Sequence, residues 1–458
     1  MAASIRSDGG GNPSWPSVGA VSALPRDRSF AILFCVMLTI AAGNTALQSV
    51  LPALGRSLRV PDSAVAAAFS VSALLWTLSA PFWAHRSDHH GRRNMVLLGL
   101  VGLTSSLFLC GGFLVAGING WITPLSAFIF FIAARMIYGG FGSAAPPAVQ
   151  AIVASGTSRD ARTRALTLLA SAFGLGTILG PAIAPYLVIG HLWRGGPEVG
   201  LAGPAFIFGI AAAAMLVVVI RMLPHGVDDM MTHGAAASYP SIGGQASGAS
   251  VTAATAPRAR KIGMFDRRVR SWLMSGLVLG HAQAMAGQVI GFLIIDRLAL
   301  APVEAIQSTG LVLMMGAGSA LLAQWGIIPL LDLSPRRLVL TGLVLSAVGS
   351  VATGTATTLY GIATGYALTT LGFGFSRPGF TAGASLAVGQ DAQGSVAGKV
   401  TSINGASFIL GPSVGVALYQ LWRPLPYLAA AAALVVLIAY GWVTLRPSAR
   451  DPEADPDR

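Results

Sequence analysis

The stretch from Gly139 to Pro181 carries Gly140-Phe141-Gly142, Pro146, Asp160-Ala161 and Ile178-Leu179-Gly180-Pro181, and the chain writes the same series twice. The second copy has Gly372-Phe373-Gly374, Pro378, Asp391-Ala392 and Ile409-Leu410-Gly411-Pro412. Each Asp-Ala stands 20 residues before its Gly-Pro, and the copies are 231 residues apart, or 232 at Gly-Phe-Gly. A further pair lies outside the stretch: Asp88-x-x-Gly91-Arg92-Arg93 recurs as Asp332-x-x-Pro335-Arg336-Arg337. Several matches in one order at a similar offset point to a duplicated unit about half the chain long. Repeats related this way are the sequence sign of a transporter whose halves rock about a site between them.

Composition agrees. Of the 458 residues 54% are hydrophobic and 10% charged, whereas a soluble domain carries about 25% charged residues, so the chain lives in a bilayer. The 56 glycines suit helices that approach each other closely. Cys35 and Cys110 both fall in apolar spans, which argues against a disulfide framework. Residues 1–28 read as a disordered tail, because the first apolar run is too long for a cleavable signal peptide.

Apolar segments follow at Phe30–Pro52, Ala64–Trp83, Asn94–Ala116, Pro124–Val153, Ala165–Val188 and Gly203–Ile220, then at Trp272–Ile295, Thr309–Leu331, Leu338–Ala356, Tyr360–Val388, Val396–Trp422 and Tyr427–Leu445. Each is near the ~20 residues that an α-helix needs to cross the hydrocarbon. The expected fold is therefore an all-α membrane protein of twelve transmembrane helices in two pseudo-symmetric six-helix bundles, 29–221 and 272–445, joined by a linker at 222–271 and ended by a tail at 446–458. The linker is rich in Gly, Ala, Ser and Thr and reads as mobile. Counted by loop, 22 Lys and Arg fall on the side of both termini and the linker, against 5 on the other. That bias puts the termini and linker in the cytoplasm of a cell inner (plasma) membrane. It also removes a nucleic-acid partner, since the net charge of +12 is spread over one membrane face.

With these residues in view the chain resembles the major facilitator superfamily over its whole membrane portion. Asp88-His89-His90-Gly91-Arg92-Arg93 resembles the superfamily's cytoplasmic loop signature, with Ala84 where a first glycine is usual. Arg135 and Gly139 resemble its Arg-x-x-x-Gly pattern in the fourth helix, with Tyr138 and Phe141 departing from the common residues. Gly176-Thr177-Ile178-Leu179-Gly180-Pro181 is similar to the fifth-helix signature of drug:proton antiporters. The resemblance implies a monomeric secondary carrier, coupled to protons, that exports small hydrophobic or amphipathic molecules by alternating access. It further implies a cytoplasmic gate at Asp88, Gly91, Arg92 and Arg93 with Asp332, Arg336 and Arg337, and a seal against leak at Gly176, Gly180 and Pro181.

Single residues add to this. A charged side chain in mid-span costs at least ~2.5 kcal/mol, so Arg135 faces a cavity or a partner and is a functional candidate. Arg377, five residues beyond Gly372, is displaced from the position matching Arg135 and reads either as functional or as a snorkelling residue. His281, the one histidine inside a span, is a candidate proton carrier, or else a neutral hydrogen-bonded side chain. Asp296 is the nearest acid, alternatively a solvated interface residue paired with Arg297. Asn44, Gln48, Trp76, Gln150, Gln283, Gln288, Gln324 and Asn404 are polar groups within spans that line a path or bond between helices. His85, His89 and His90 beside Asp88 read as a solvated loop rather than a metal site, and no cofactor is expected. No phosphate-loop motif is present, so ATP has no visible engine. Two rivals stand beside the exporter. The first is an importer of the same fold, suggested by Asn44 and Gln48 where many proton-coupled exporters place an acid. The second is a non-transporting membrane sensor or enzyme.

Overall fold

The computed structural model describes residues 28–156, 159–191, 193–223, 263–331, 333–388 and 393–445. The tails, most of the linker and Asp332 lie outside the described residues, as do the side chains of Ala84, His85, Asp88, His89 and His90.

Twelve apolar crossings form. The first half contains α1 (Arg28–Ser57), α2 (Asp62–His90), α3 (Arg92–Ile118), α4 (Pro124–Phe141), α5 (Ala145–Gly156), α6 (Arg159–Ile183) and α7 (Gly203–Met222). The second contains α8 (Arg270–Leu298), α9 (Ala305–Leu321), α10 (Ile328–Leu331), α11 (Pro335–Thr355), α12 (Leu359–Leu386), α13 (Gln393–Leu421) and α14 (Leu425–Thr444). Two crossings are interrupted. Between α4 and α5 the chain tightens into a 3₁₀ turn at Gly142–Ala144, just before Pro146 and Pro147. Proline lacks the N–H that would continue the ladder, and its ring clashes with the carbonyl four residues back. Between α9 and α10 a π turn at Leu322–Ile327 precedes Pro329 for the same reason. The one departure from an all-helical chain among the described residues is a short antiparallel hairpin of β1 (Ile189–His191) and β2 (Glu198–Gly200).

Among the described residues, nine helical segments are long and apolar enough to cross a membrane on length and composition alone. The others, α6, α12 and α13, are the ones that carry Gly-Pro, Arg377 or Asn404.

The duplication is visible in packing. A methyl group on Gly180 of α6 would come within 2.5 Å of both the Ala42 carbonyl oxygen and Thr45 Oγ1 of α1. One on Gly411 of α13 would lie 2.5 Å from Ala284 Cβ and 3.4 Å from the His281 carbonyl oxygen of α8. These two contacts place each α1 residue opposite the α8 residue 239 positions later, which pairs Asn44 with Gln283, Gln48 with Gly287 and Pro52 with Gly291. Paired residues also touch one another. Gln48 Nε2 donates to the Gly287 carbonyl at 3.5 Å, and a methyl on Gly291 would meet Pro52 Cγ at 2.7 Å. A residue touches its own counterpart only where the two-fold axis passes, so the axis runs between α1 and α8.

The end expected to face outward is where the halves meet. One apolar core cluster runs from the first half into the α8 residues Val289, Phe292 and Leu293 and into Phe408 and Val416 of α13. At the opposite end the second half keeps a core cluster of its own, including Trp272, Leu273, Val396 and Val400.

Candidate functional site

Interior polar groups collect on the arginines. Arg135 on α4 is 3% exposed and donates from Nη2 to Asn44 Oδ1 on α1 at 2.8 Å. Its guanidinium carbon lies 5.1 Å from the Tyr138 ring centre and 5.5 Å from that of Phe69, within cation–π range. Trp76 packs against the same Tyr138 ring, ring centres 5.2 Å apart. Ser72 Oγ donates to the Arg135 carbonyl at 3.1 Å, and Gly139 lies against the Ser72 carbonyl, so α2 and α4 approach backbone to backbone behind the arginine.

Arg377 on α12 is also buried. It donates from Nη2 to Asn404 Oδ1 on α13 at 2.9 Å and from Nη1 to Gln283 Oε1 on α8 at 3.4 Å, with the Phe408 ring centre 5.9 Å away. The snorkelling alternative is thereby corrected. Two amides reach the guanidinium inside the bundle, so it has no need to climb to the interface.

Asp296 is placed differently from the expectation. It does not pair with Arg297, whose Nη2 donates to the Gly354 carbonyl at 2.9 Å. Its carboxylate accepts from Arg56 through both oxygens, Nη2 to Oδ2 at 3.0 Å and Nη1 to Oδ1, and from Tyr419 Oη at 2.6 Å. Arg56 also donates from Nη2 to Asp62 Oδ2 at 2.8 Å and lies over the Phe292 ring at 5.4 Å, while Arg423 stands 3.8 Å from Asp296. Arg56 ends α1 and Asp296 ends α8, so this cluster ties the halves at the outer end. Ser70 of α2 and Ser413 of α13 add a hydroxyl bond across the same interface at 3.0 Å. The sequence reading singled out none of Arg56, Asp62, Tyr419, Phe69 and Ser413 as site residues.

His281 Nδ1 bonds the Leu277 carbonyl of its own helix at 2.8 Å. It stands 15 residues from Asp296 on α8, ~22 Å along the axis, so the two are not one site. Gln288 and Gln150 are buried on α8 and α5, each with an amide oxygen that has no partner. Gln324 is half-buried within the π turn.

The loop arginines are corrected as well. Arg92 and Arg93 are not in a loop facing lipid but are the buried first residues of α3, after Gly91 with φ of 87°. Arg93 donates from Nη2 to the Ile220 carbonyl and from Nε to that of Leu223, both at 2.9 Å, and so caps α7. Arg92 Nη1 donates to the Ala151 carbonyl at 3.1 Å. In the second half Arg336 Nη2 donates to the Trp442 carbonyl at 3.2 Å and its guanidinium lies over that indole, which caps α14. Arg93 is the second residue of α3 and Arg336 the second of α11. The structural pair is thus Arg93 with Arg336, one residue off the alignment of the motifs. Arg337 contributes its backbone N–H to the Ser334 cap at 3.3 Å.

Gly176 and Gly180 press α6 onto α1 within the first half, a methyl on Gly176 coming within 2.8 Å of Ala41 Cβ. The Pro181 carbonyl oxygen faces Gly310 of α9 across the interface, 2.8 Å from a methyl placed there.

A family profile of the Major Facilitator Superfamily matches residues 33–332. The chain belongs to that superfamily. It is therefore an integral, multi-pass membrane protein. Among curated superfamily proteins it is 36% identical over 118 residues to Major facilitator superfamily domain-containing protein 10 of Bos taurus, covering 26% of this chain and 23% of that one. It is 32% identical over 120 residues to a multi-drug resistance efflux pump PmrA homolog of Lactococcus lactis, covering 26% of each. The class B tetracycline resistance protein of Escherichia coli shares 26% identity over 162 residues, covering 34% of this chain and 37% of that one. These alignments span about a quarter to a third of the relatives' lengths. The fold extends further: the human organic anion transporter MFSD10 superposes over 92% of this chain and 100% of its own, with a TM-score of 0.62 at 19% identity. A POT family transporter does so over 91% and 96%, with a TM-score of 0.64 at 13% identity.

Proposed function

We propose that the protein is a proton-coupled exporter of small amphipathic molecules that works by alternating access. The observation that carries the reading is the pair of interior arginines, one from each half, held on amides beside the two-fold axis and away from lipid. Export is supported by the named efflux pumps among its relatives and by the Gly-Pro series in α6. The closed outer end, with Asp296 bound by Arg56 and Tyr419, belongs to one state of the cycle, and the opposite state requires those bonds to break. Asp88 near the end of α2, Gly91, and Arg92 and Arg93 at the start of α3, with Asp332, Arg336 and Arg337 in the other half, form the gate at the cytoplasmic end. Gly176, Gly180 and Pro181 keep α6 sealed on α1 and α9 as the halves rock. His281 carries the coupling proton, as an imidazole set within a span, whose ring nitrogens can take up and release a proton.

Inverted membrane vesicles with an imposed pH gradient test this. Loading of amphipathic test compounds, collapsed by an uncoupler, is expected. Loading of right-side-out vesicles instead would reverse the direction, and absence of flux in either would sink the carrier reading.

A further inference from the structure

The interior charge is one-sided. Every acidic residue among the described residues lies in a loop or hairpin or within two residues of a helix end, whereas Arg135 and Arg377 stand in mid-span. A permanent cation in that setting calls for an anion or a cavity. Among the described residues no carboxylate pairs with Arg135. Its one side-chain partner described is the neutral Asn44.

The donors left over stand together. Arg135 Nη1 is buried without a partner, and so is the indole Nε1 of Trp76, a residue 1% exposed. Tyr138 joins the two, with the guanidinium carbon 5.1 Å and the indole 5.2 Å from its ring centre. Buried polar groups are normally satisfied, so two orphaned N–H groups around one ring mark a missing acceptor. The second half leans the same way, since Gln283 Nε2 and Asn404 Nδ2, on the two amides that hold Arg377, are also unmet. The unmet amide oxygens of Gln150 and Gln288 belong to side chains that bond neither arginine.

We propose that Arg135 and Trp76 form the head-group subsite for the carboxylate of a small organic acid. One oxygen accepts from Arg135 Nη1 and the other from Trp76 Nε1. The apolar body of the acid lies along Phe69 and Tyr138, which already form the wall around the guanidinium. The inference deepens the carrier reading and rests on it. It narrows amphipathic cargo to acids, because a cation would face two fixed positive charges and a neutral amide would forgo the charge-assisted bond.

The test measures binding to the purified full-length protein of three acids, salicylate, indole-3-acetate and 2-naphthoate, each against its own amide, with tryptamine as the cation. At least one acid is expected to bind ten times or more tighter than its amide, and tryptamine weakest. Arg135→Gln should erase the preference, and Trp76→Phe, which keeps a ring but drops the donor, should cut it about threefold or more. Should Arg135→Gln fail to fold, the wild-type comparison and Trp76→Phe decide. All three acids within threefold of their amides, or a preference intact in Trp76→Phe and in any folded Arg135→Gln, overturns the subsite. Counterflow in proteoliposomes separates the two failures. Exchange of amides or tryptamine with no preference for acids leaves the carrier and removes the subsite. Acid-selective binding with no counterflow of any compound leaves the subsite and removes the carrier.

Discussion

Arg135 and Arg377 perform the same act in the two halves from different places. Each sets a guanidinium on an amide of the helix that borders the two-fold axis, Asn44 of α1 and Gln283 of α8, and those amides are counterparts. The arginines are not. Arg377 follows Arg135 by 242 residues where the duplicated Gly-Phe-Gly is offset by 232, a displacement of ten residues, or ~15 Å of helix. Their surroundings differ in kind too, since Arg377 bonds two amides while Arg135 keeps one nitrogen unmet beside an unmet indole. The lesson is that duplication fixed the backbone contacts and the amide position, while the charges were placed anew in each half.

The comparison predicts unequal mutants. Arg135→Gln should lower counterflow on the order of 100-fold with a small change in Tm, because the lost nitrogen served a ligand. Losing a hydrogen bond to a charged group costs ~1.5–3 kcal/mol, or roughly 10–150-fold. Arg377→Gln should do the reverse, lowering Tm more and counterflow only about tenfold, because its two amides lose their partner. Equal effects on both readouts would show that the halves are functionally interchangeable.

The glycine pair comes next. Gly180→Ala drives a methyl to 2.5 Å from a backbone carbonyl, which cannot rotate away, whereas Gly411→Ala meets the methyl of Ala284 on a neighbouring helix. Overpacking of this kind costs ~1–3 kcal/mol. Thermal unfolding of the detergent-purified protein should place Gly180→Ala at the top of that range and Gly411→Ala at the bottom. A larger loss at Gly411 contradicts the difference drawn between backbone and side-chain neighbours.

These asymmetries explain what could be read from the sequence. The twelve crossings and the two-fold pseudo-symmetry follow from apolar length and repeated Gly-Phe-Gly and Gly-Pro series, because both are local patterns. Arg135 was legible because a mid-span charge is costly wherever it points. Its partner was not, since choosing Asn44 over Gln48 depends on the rotation of α1, which no spacing encodes. Arg377 defied its position because snorkelling and internal bonding give the same sequence. Arg92 and Arg93 were misplaced in a loop because they begin α3 directly after Gly91, and the carbonyls they cap belong to distant segments. The outer cluster joins residues as far apart as Arg56 and Tyr419, and only the folded chain brings them onto one carboxylate.

That cluster has no twin, and Asp296→Asn sharpens the point. The pairing of α1 with α8 puts Ser57 opposite Asp296 and Ile295 opposite Arg56. The side chains of Arg56 and Asp296 are 24% and 14% exposed, between the surface pairs worth up to ~1 kcal/mol and buried charge-assisted bonds worth ~1.5–3. About 1–2 kcal/mol of outer closure should be lost, a shift of roughly 5–30-fold toward the outward-open state. Spin labels at the outer ends of α1 and α8 would read it as a longer distance population. An unchanged distribution means that the apolar contacts of Val289, Phe292 and Phe408 close this end unaided.

The smallest expected effect lies at His281, whose counterpart in the first half is Ala42. An imidazole ring can accept a proton on one nitrogen and release one from the other, the chemistry a coupling group needs. If it is the coupling group, its proton is needed to convert a pH gradient into net flux but not to exchange one substrate molecule for another. His281→Gln should therefore leave counterflow at equal pH within about threefold of wild type and remove the component driven by the gradient. A gradient-driven component that survives in His281→Gln would falsify the assignment. With no carboxylate among the described residues in the interior of any span, coupling would then have to run through the acids at the helix ends, Asp296 foremost. The asymmetry would remain, because Asp296 faces Ser57 in the other half as His281 faces Ala42, so either route puts the proton in the second half and the unmet guanidinium nitrogen in the first.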